Sequence, residues 1–269
     1  MENQIPDNPV KIVFFDIDGT LIGIHNQKIP VSAVKAIEAL RLKGIKVFIS
    51  TGRHMLDIKV LDLPDFDGYI TTNGASCTVG KEVIYKKHIP EDDIENLIHY
   101  LQGDGKFPCV IETFDNAYLN FSNHWVEELQ KELHIRKPLT VSFEEWTEKA
   151  RSGVEQMLCF FGPESDERII REVLPGCTTK RWCPYFTDVI EKNCDKSKGI
   201  DFVLGYLNLP IEETMAFGDG GNDIQMLQHA GTGIAMGNAS PHVKAVADYV
   251  TDSVENDGIW KALVHFGLI

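Results

Sequence analysis

The chain has 269 residues, 43% hydrophobic and 25% charged, which suits a globular protein of one large domain or two ordinary ones. Its formal charge of -14 disfavours nucleic acid and anionic membrane as partners, because both need a surplus of Lys and Arg. An anionic substrate is also repelled at long range, so a phosphate site here has to be made locally positive by a metal, a lysine or backbone N–H groups. The opening "MENQIPDNPVK" lacks the apolar segment of a signal peptide, and no apolar run is long enough to span a bilayer. Six scattered cysteines without a CxxC pair (Cys77, Cys109, Cys159, Cys177, Cys183, Cys194) read as reduced thiols. These features together predict a cytoplasmic protein.

In chain order, "KIVFFDI" predicts a strand, and "VSAVKAIEALRLKG" a helix in which Val34, Ile37, Leu40 and Leu42 mark the apolar face and Gly44 the stop. "IKVFIST" and "YITTNG" predict two more strands. From about Val83 to about Phe186 the texture changes: helices such as "PEDDIENLIHYLQ" and "NHWVEELQKELH" mix with strand-like "PCVIETF", "AYLNF" and "VEQMLCFF". Strict alternation then returns with "ETMAFGD" (strand), "NDIQMLQHAG" (helix), "TGIAMG" (strand) and "SPHVKAVAD" (helix), the last with Ser240 as a plausible N-cap and Pro241 at the first helical position. Strands apolar on both faces and separated by helices imply an α/β domain with a parallel, Rossmann-like sheet. The middle reads as an α+β module inserted into it. The expected division is a core of residues 1–84 plus 188–269 around an insert of 85–187, about the size of an ordinary domain.

Four stretches carry chemistry. In Asp16-Ile17-Asp18-Gly19-Thr20, two carboxylates leave a strand end, where ligands of open α/β sheets bind. Turn chemistry at Asp18-Gly19 with a solvated Asp16 explains the same residues. A calcium loop does not, since its sixth and twelfth positions would be Leu21 and Gln27 rather than Gly and Glu. "FGDGGND" brings Asp219 to a second strand tip, with Asp223 entering a helix and glycines allowing close approach. Read alone it is a helix cap; two acidic tips in one sheet make a carboxylate cluster suited to magnesium, which takes one or two carboxylates and keeps its waters. "FISTGR" offers Thr51 and free N–H groups as an anion cradle or, more simply, a helix N-cap. "NCDKSKGI" sets Lys196 and Lys198 before an expected helix "GIDFVLGYL", where either is by itself a solvated surface lysine. "GTGIAMG" is no dinucleotide fingerprint, because it follows a helix and opens a strand.

With "DIDGT", "STGR", "NGA", "KG", "GDGGND" and "IAMGNA" in this order, the chain resembles the haloacid dehalogenase superfamily, and within it the Cof-type sugar phosphatases with a large α/β cap (type IIB). The resemblance covers roughly residues 10–80 and 185–265; the middle matches in length and texture but has no motif. It implies a phosphatase of small phosphorylated metabolites, sugar phosphates above all, working through an aspartyl-phosphate. Asp16 is then the nucleophile, Asp18 the acid and then the base, and Lys198 the lysine that neutralises charge at the phosphate. Mg2+ is implied on Asp16, Asp219 and the backbone carbonyl of Asp18, with Asp223 behind. Thr51, the Gly52 amide, Asn222 and Arg53 are implied at the phosphate or substrate, Thr20 only at the turn, and the insert as a cap governing access. A phosphomutase of hexose phosphates and a noncatalytic metabolite-binding module share the same fold. Either a monomer or a weak homo-oligomer is compatible.

Overall fold

The computed structural model of the protein describes residues 9–23, 28–103, 105–132, 137–181 and 184–269. Residues 1–8 of the stretch read above for a leader, Gln27 of the calcium-loop comparison, the far end of the helix expected at "NHWVEELQKELH", and Cys183 lie outside the described residues.

The strands in chain order are β1 (Ile12–Phe15), β2 (Lys46–Ser50), β3 (Gly68–Thr71), β4 (Ser76–Val79), β5 (Glu82–Lys86), β6 (Cys109–Thr113), β7 (Ala117–Leu119), β8 (Leu139–Thr140), β9 (Val154–Cys159), β10 (Cys177–Lys180), β11 (Thr187–Glu191), β12 (Thr214–Gly218), β13 (Thr232–Ala235) and β14 (Tyr249–Val250). Among the described residues they form two sheets, ordered β14-β13-β12-β1-β2-β3-β4-β5 and β10-β11-β9-β6-β7-β8. The chain divides into two compact units. One gathers the described residues up to Arg53 with Lys59–Tyr85 and Asp195–Ile269; the other holds His54–Ile58 and Lys86–Cys194.

In the first unit, β14, β13, β12, β1, β2 and β3 run parallel. Every residue of β1, β12 and β13 is buried, as expected of parallel strands covered on both faces. Phe15 stacks on Phe217 at 5.1 Å, and Phe14 meets Phe48 at 5.6 Å. The register sets Phe15 opposite both Phe217 and Ile49. Consequently Asp16, Asp219 and Thr51, which follow these three strands, emerge side by side. The strand order also reverses at the β12–β1 pair, the kind of switch point where α/β sheets open a crevice for ligands.

Two local expectations in this unit change. Helix Val31–Leu42 buries Ala33, Ala36, Ile37 and Leu40, while Val34 is half-buried and Leu42 faces solvent. Helix Pro241–Lys244 begins as expected, with Ser240 at the N-cap position and the proline next, although Ser240 makes no side-chain cap hydrogen bond; the helix ends sooner than "SPHVKAVAD" suggested.

The second unit is an α+β layer. Its sheet is antiparallel except for β7 with β8. Helices Glu91–Gln102 and Phe143–Ala150 cover one face through Ile94, Leu97 and Trp146, packed with Met157 and Val189. The buried Trp146 ring N–H donates to the Cys109 carbonyl at 3.1 Å, so its polar edge is satisfied. On the other face Val110, Leu119, Phe160 and Phe186 pack with Val126. The expected boundary at 187/188 falls within the stretch that groups with the second unit. β11 pairs antiparallel with β9 and β10, so its hydrogen bonds tie it to the insert, and the return to the first unit falls at Asp195. Likewise His54–Ile58, read as core, groups with the second unit.

Candidate active site

The turn after β1 builds the first half of the site. The Ile17 carbonyl accepts the N–H groups of Leu21 and Ile22, both at 2.9 Å, which folds Asp18 to Leu21 into a tight loop. Gly19 in that loop has φ +82°, and a Cβ there would collide with the carboxylate of Asp219. Only glycine meets both demands. Its neighbour Thr20 donates to Asp219 Oδ1 at 3.1 Å.

The turn after β12 builds the second half. Asp223 Oδ2 accepts the N–H groups of Asp219 at 3.0 Å and Gly220 at 2.8 Å, capping a short helical turn and fixing the acidic tip. Asn238, from the "IAMGNA" stretch, donates through Nδ2 to Asp219 Oδ2 at 3.1 Å and to the Gly19 carbonyl at 2.8 Å, lacing the two turns together.

Asp16, Asp219 and Asp223 converge, each offering a carboxylate oxygen within 4.8 Å of the others. Asp16 is 6% exposed and Asp223 fully buried. Burial, then the charge of Asp223, pushes the Asp16 carboxyl well above the usual carboxylate range, with Asp219 and Asp18 adding to the effect and Lys196 opposing it. Burial and Asp223 likewise push Asp219 up to about 7, against the Thr20 hydrogen bond. A cluster that resists ionising alone is one a cation would relieve. Its all-oxygen donor set fits a hard divalent ion, magnesium included. Asp223 is the most enclosed of the three: it is fully buried, its Oδ1 accepts from Lys196 Nζ, and its Oδ2 accepts the N–H groups of Asp219 and Gly220.

The lysine that reaches the acidic cluster is Lys196, not Lys198. Lys196 Nζ donates to Asp16 Oδ1 and Asp223 Oδ1, each at 2.6 Å. Burial works against its charge, but the two carboxylates hold its pKa above the ordinary lysine range. Lys198 is exposed; its backbone N–H donates to the Asp195 side chain at 3.0 Å. The difference follows from where the helix starts. Asp195 is its N-cap, so the helix runs Lys196–Leu207 and contains both lysines. Two residues apart on a helix means about 200° of rotation, so one lysine faces inward and the other out. Lys196 shares the buried face with Gly199, Ile200 and Val203. Asp195 as an N-cap, followed by that apolar spacing, was the available signal.

Thr51 is buried, and its Oγ1 accepts the Arg53 N–H at 3.1 Å. Asn73, in a left-handed conformation at φ 52°, donates its N–H to the Thr51 carbonyl at 3.0 Å. Its Oδ1 accepts from Asn222 Nδ2 at 3.0 Å, and its amide lies against Gly52. Thr51, Gly52 and Asn222 are thus brought together through a residue to which the sequence reading gave no role. Asp18 stands apart from the acidic cluster: its carboxylate pairs with Arg53 at 2.7 Å.

Known proteins share this architecture. A sequence profile of haloacid dehalogenase-like hydrolases matches residues 13–263. The Bacillus subtilis (strain 168) protein named "Putative phosphatase YkrA" is 35% identical over 265 residues, covering 96% of this chain and 98% of its own. Among solved structures, the HAD subclass IIB sugar phosphatase BT4131 superposes with a TM-score of 0.84 at 43% identity, over 97% of this chain and 100% of that one. BT1666 from Bacteroides thetaiotaomicron, studied among phosphatases of the haloalkanoate superfamily, reaches 0.88 at 36% identity, over 97% and 96% of the two chains.

Proposed function

This chain belongs to the haloacid dehalogenase-like hydrolase family, and on that premise we propose that it is a magnesium-dependent phosphatase of small phosphorylated metabolites, sugar phosphates foremost. The observation that carries the reading is a buried Asp16 held by Lys196 beside Asp219 and Asp223 at the carboxyl edge of a parallel sheet. The sugar-phosphate part draws on the likeness to BT4131.

In this reading Asp16 attacks the substrate phosphorus, forming an aspartyl-phosphate, which splits one hard displacement into two easier ones. Asp18 gives a proton to the departing alcohol, then takes one from the water that hydrolyses the intermediate. Lys196, charged in its buried position, offsets the negative charge gathered by Asp16 and the phosphoryl group. The Thr51 hydroxyl, the Gly52 amide and the Asn222 side chain hold phosphoryl oxygens. Magnesium would sit on Asp16, Asp219 and the Asp18 carbonyl, supported by Asp223. When bound, it supplies positive charge that lets an anionic nucleophile meet an anionic ester. The second unit governs substrate access and choice.

The test is phosphate release from a broad panel of phosphate esters, with and without EDTA, alongside Asp16→Asn. Metal-dependent turnover of sugar phosphates is expected, with none in the variant. Tight ligand binding without turnover across the whole panel would replace this reading with a metabolite-binding module.

A further inference from the structure

The guanidinium of Arg53 grips Asp18 at both oxygens. Nε donates to Oδ2 and Nη2 to Oδ1, each at 2.7 Å. Such a planar fork fixes where a carboxylate sits and how its plane is turned, which a lysine's point charge does not do. The two partners are unequal in their freedom. The Arg53 side chain is 9% exposed and that of Asp18 41%. Arg53 is also anchored through its backbone: its N–H donates to Thr51 Oγ1 at 3.1 Å, and its carbonyl accepts the Thr72 N–H at 3.1 Å. A largely buried, doubly pinned donor therefore holds an acceptor that would otherwise sample several rotamers in water.

We infer that Arg53 is a positioning residue for Asp18, and that its contribution to turnover passes through that carboxylate and not through the phosphate. This rests on the phosphatase reading, in which Asp18 serves both steps. In the first, the bond from Asp16 to phosphorus forms, the ester P–O bond breaks, and the proton of Asp18 goes to the leaving oxygen. In the second, the water oxygen bonds to phosphorus, the Asp16–phosphorus bond breaks, and a water proton returns to Asp18. Arg53 stays protonated throughout. A misplacement of Asp18 by an ångström weakens each proton transfer, because such transfers need hydrogen-bond reach.

An ester with a poor leaving group depends on Asp18 for its first step. One that departs as a stable anion, such as p-nitrophenyl phosphate, does not. The measurement is kcat/KM for a hexose 6-phosphate and for p-nitrophenyl phosphate, in the wild type, Arg53→Met, Arg53→Lys, Asp18→Asn and the Arg53→Met/Asp18→Asn double variant. The ratio of the sugar ester to the nitrophenyl ester is expected to fall about tenfold or more in Arg53→Met and less in Arg53→Lys. In the Asp18→Asn background the Arg53 substitution is expected to add about twofold or less, since the two then act as one unit. Equal losses on both esters, or the full Arg53 loss repeated without Asp18, would overturn the inference and make Arg53 a phosphate contact. Arg53→Lys keeps the comparison available should Arg53→Met fold poorly, as circular dichroism will tell. A wild type that turns over neither ester removes the phosphatase reading, and this inference with it.

Discussion

A lysine ammonium with 1% of its surface exposed would ordinarily give up its proton, since burial disfavours charge. Lys196 keeps it because Asp16 and Asp223 each accept from Nζ at 2.6 Å. Breaking that arrangement leaves buried carboxylates uncompensated, so Lys196→Met is expected to lower kcat by about a hundredfold or more. Lys198→Ala removes a solvated charge worth about 0.5 kcal/mol at most and is expected to leave kcat within about twofold. Phosphate-release kinetics on the two variants decide between them; the reverse pattern would restore Lys198 to the site. Asp16→Asn is close in shape and removes the carboxylate proposed above to attack phosphorus. It is expected to abolish phosphate release while leaving the circular dichroism spectrum unchanged.

Turns, more than strands, set the geometry of the acids. Gly19 and Gly44 both have positive φ, +82° and +76°, but in different surroundings. At Gly44, past the end of helix Val31–Leu42, a Cβ would meet nothing, so Gly44→Ala carries only a backbone cost of about 1–2 kcal/mol. At Gly19 the same Cβ would strike Asp219, so Gly19→Ala pays the backbone cost and also displaces an acid of the site. Urea unfolding should find both variants destabilised, whereas activity should collapse only in Gly19→Ala. Full activity in Gly19→Ala would mean that the packing of the two turns is not what aligns the carboxylates. In the second unit, Trp146 fills the core and satisfies its ring N–H. Trp146→Ala is expected to cost about 3–5 kcal/mol, read as a lower denaturant midpoint.

At the scale of the whole molecule, a chain of charge -14 gathers Asp16, Asp219 and Asp223 within 4.8 Å of one another and still has to accept an anionic ester. Removing divalent ions with EDTA is expected to abolish turnover and adding magnesium to restore it. Independently of activity, magnesium should raise the thermal midpoint of the wild type, because a ligand that binds only the folded state stabilises it. That rise should vanish in Asp219→Ala; an equal rise there would place the ion elsewhere. With a hexose 1-phosphate, free phosphate should appear without hexose 6-phosphate, separating hydrolysis from a mutase reaction. Among the described residues no helix is long and apolar enough to cross a membrane.

The parallel sheet and its acidic tips were legible in the sequence because they depend on local patterns. Apolar runs buried on both faces, ended by Asp16 and Asp219, can be read without knowing what lies opposite. The α+β texture of the insert is local in the same sense, but its far boundary is not. β11 looks like any strand until its partners β9 and β10 are known. The choice between Lys196 and Lys198 turned on one helical start, since two residues reverse the direction of a side chain. Arg53 meets Asp18 across 35 positions, and Asn238 reaches Gly19 across 219. Sequence periodicity carries no information about such pairs, because hydrogen bonds between distant turns exist only once the strands beneath them have paired. Tertiary structure alone decided which polar groups hold the acids in place.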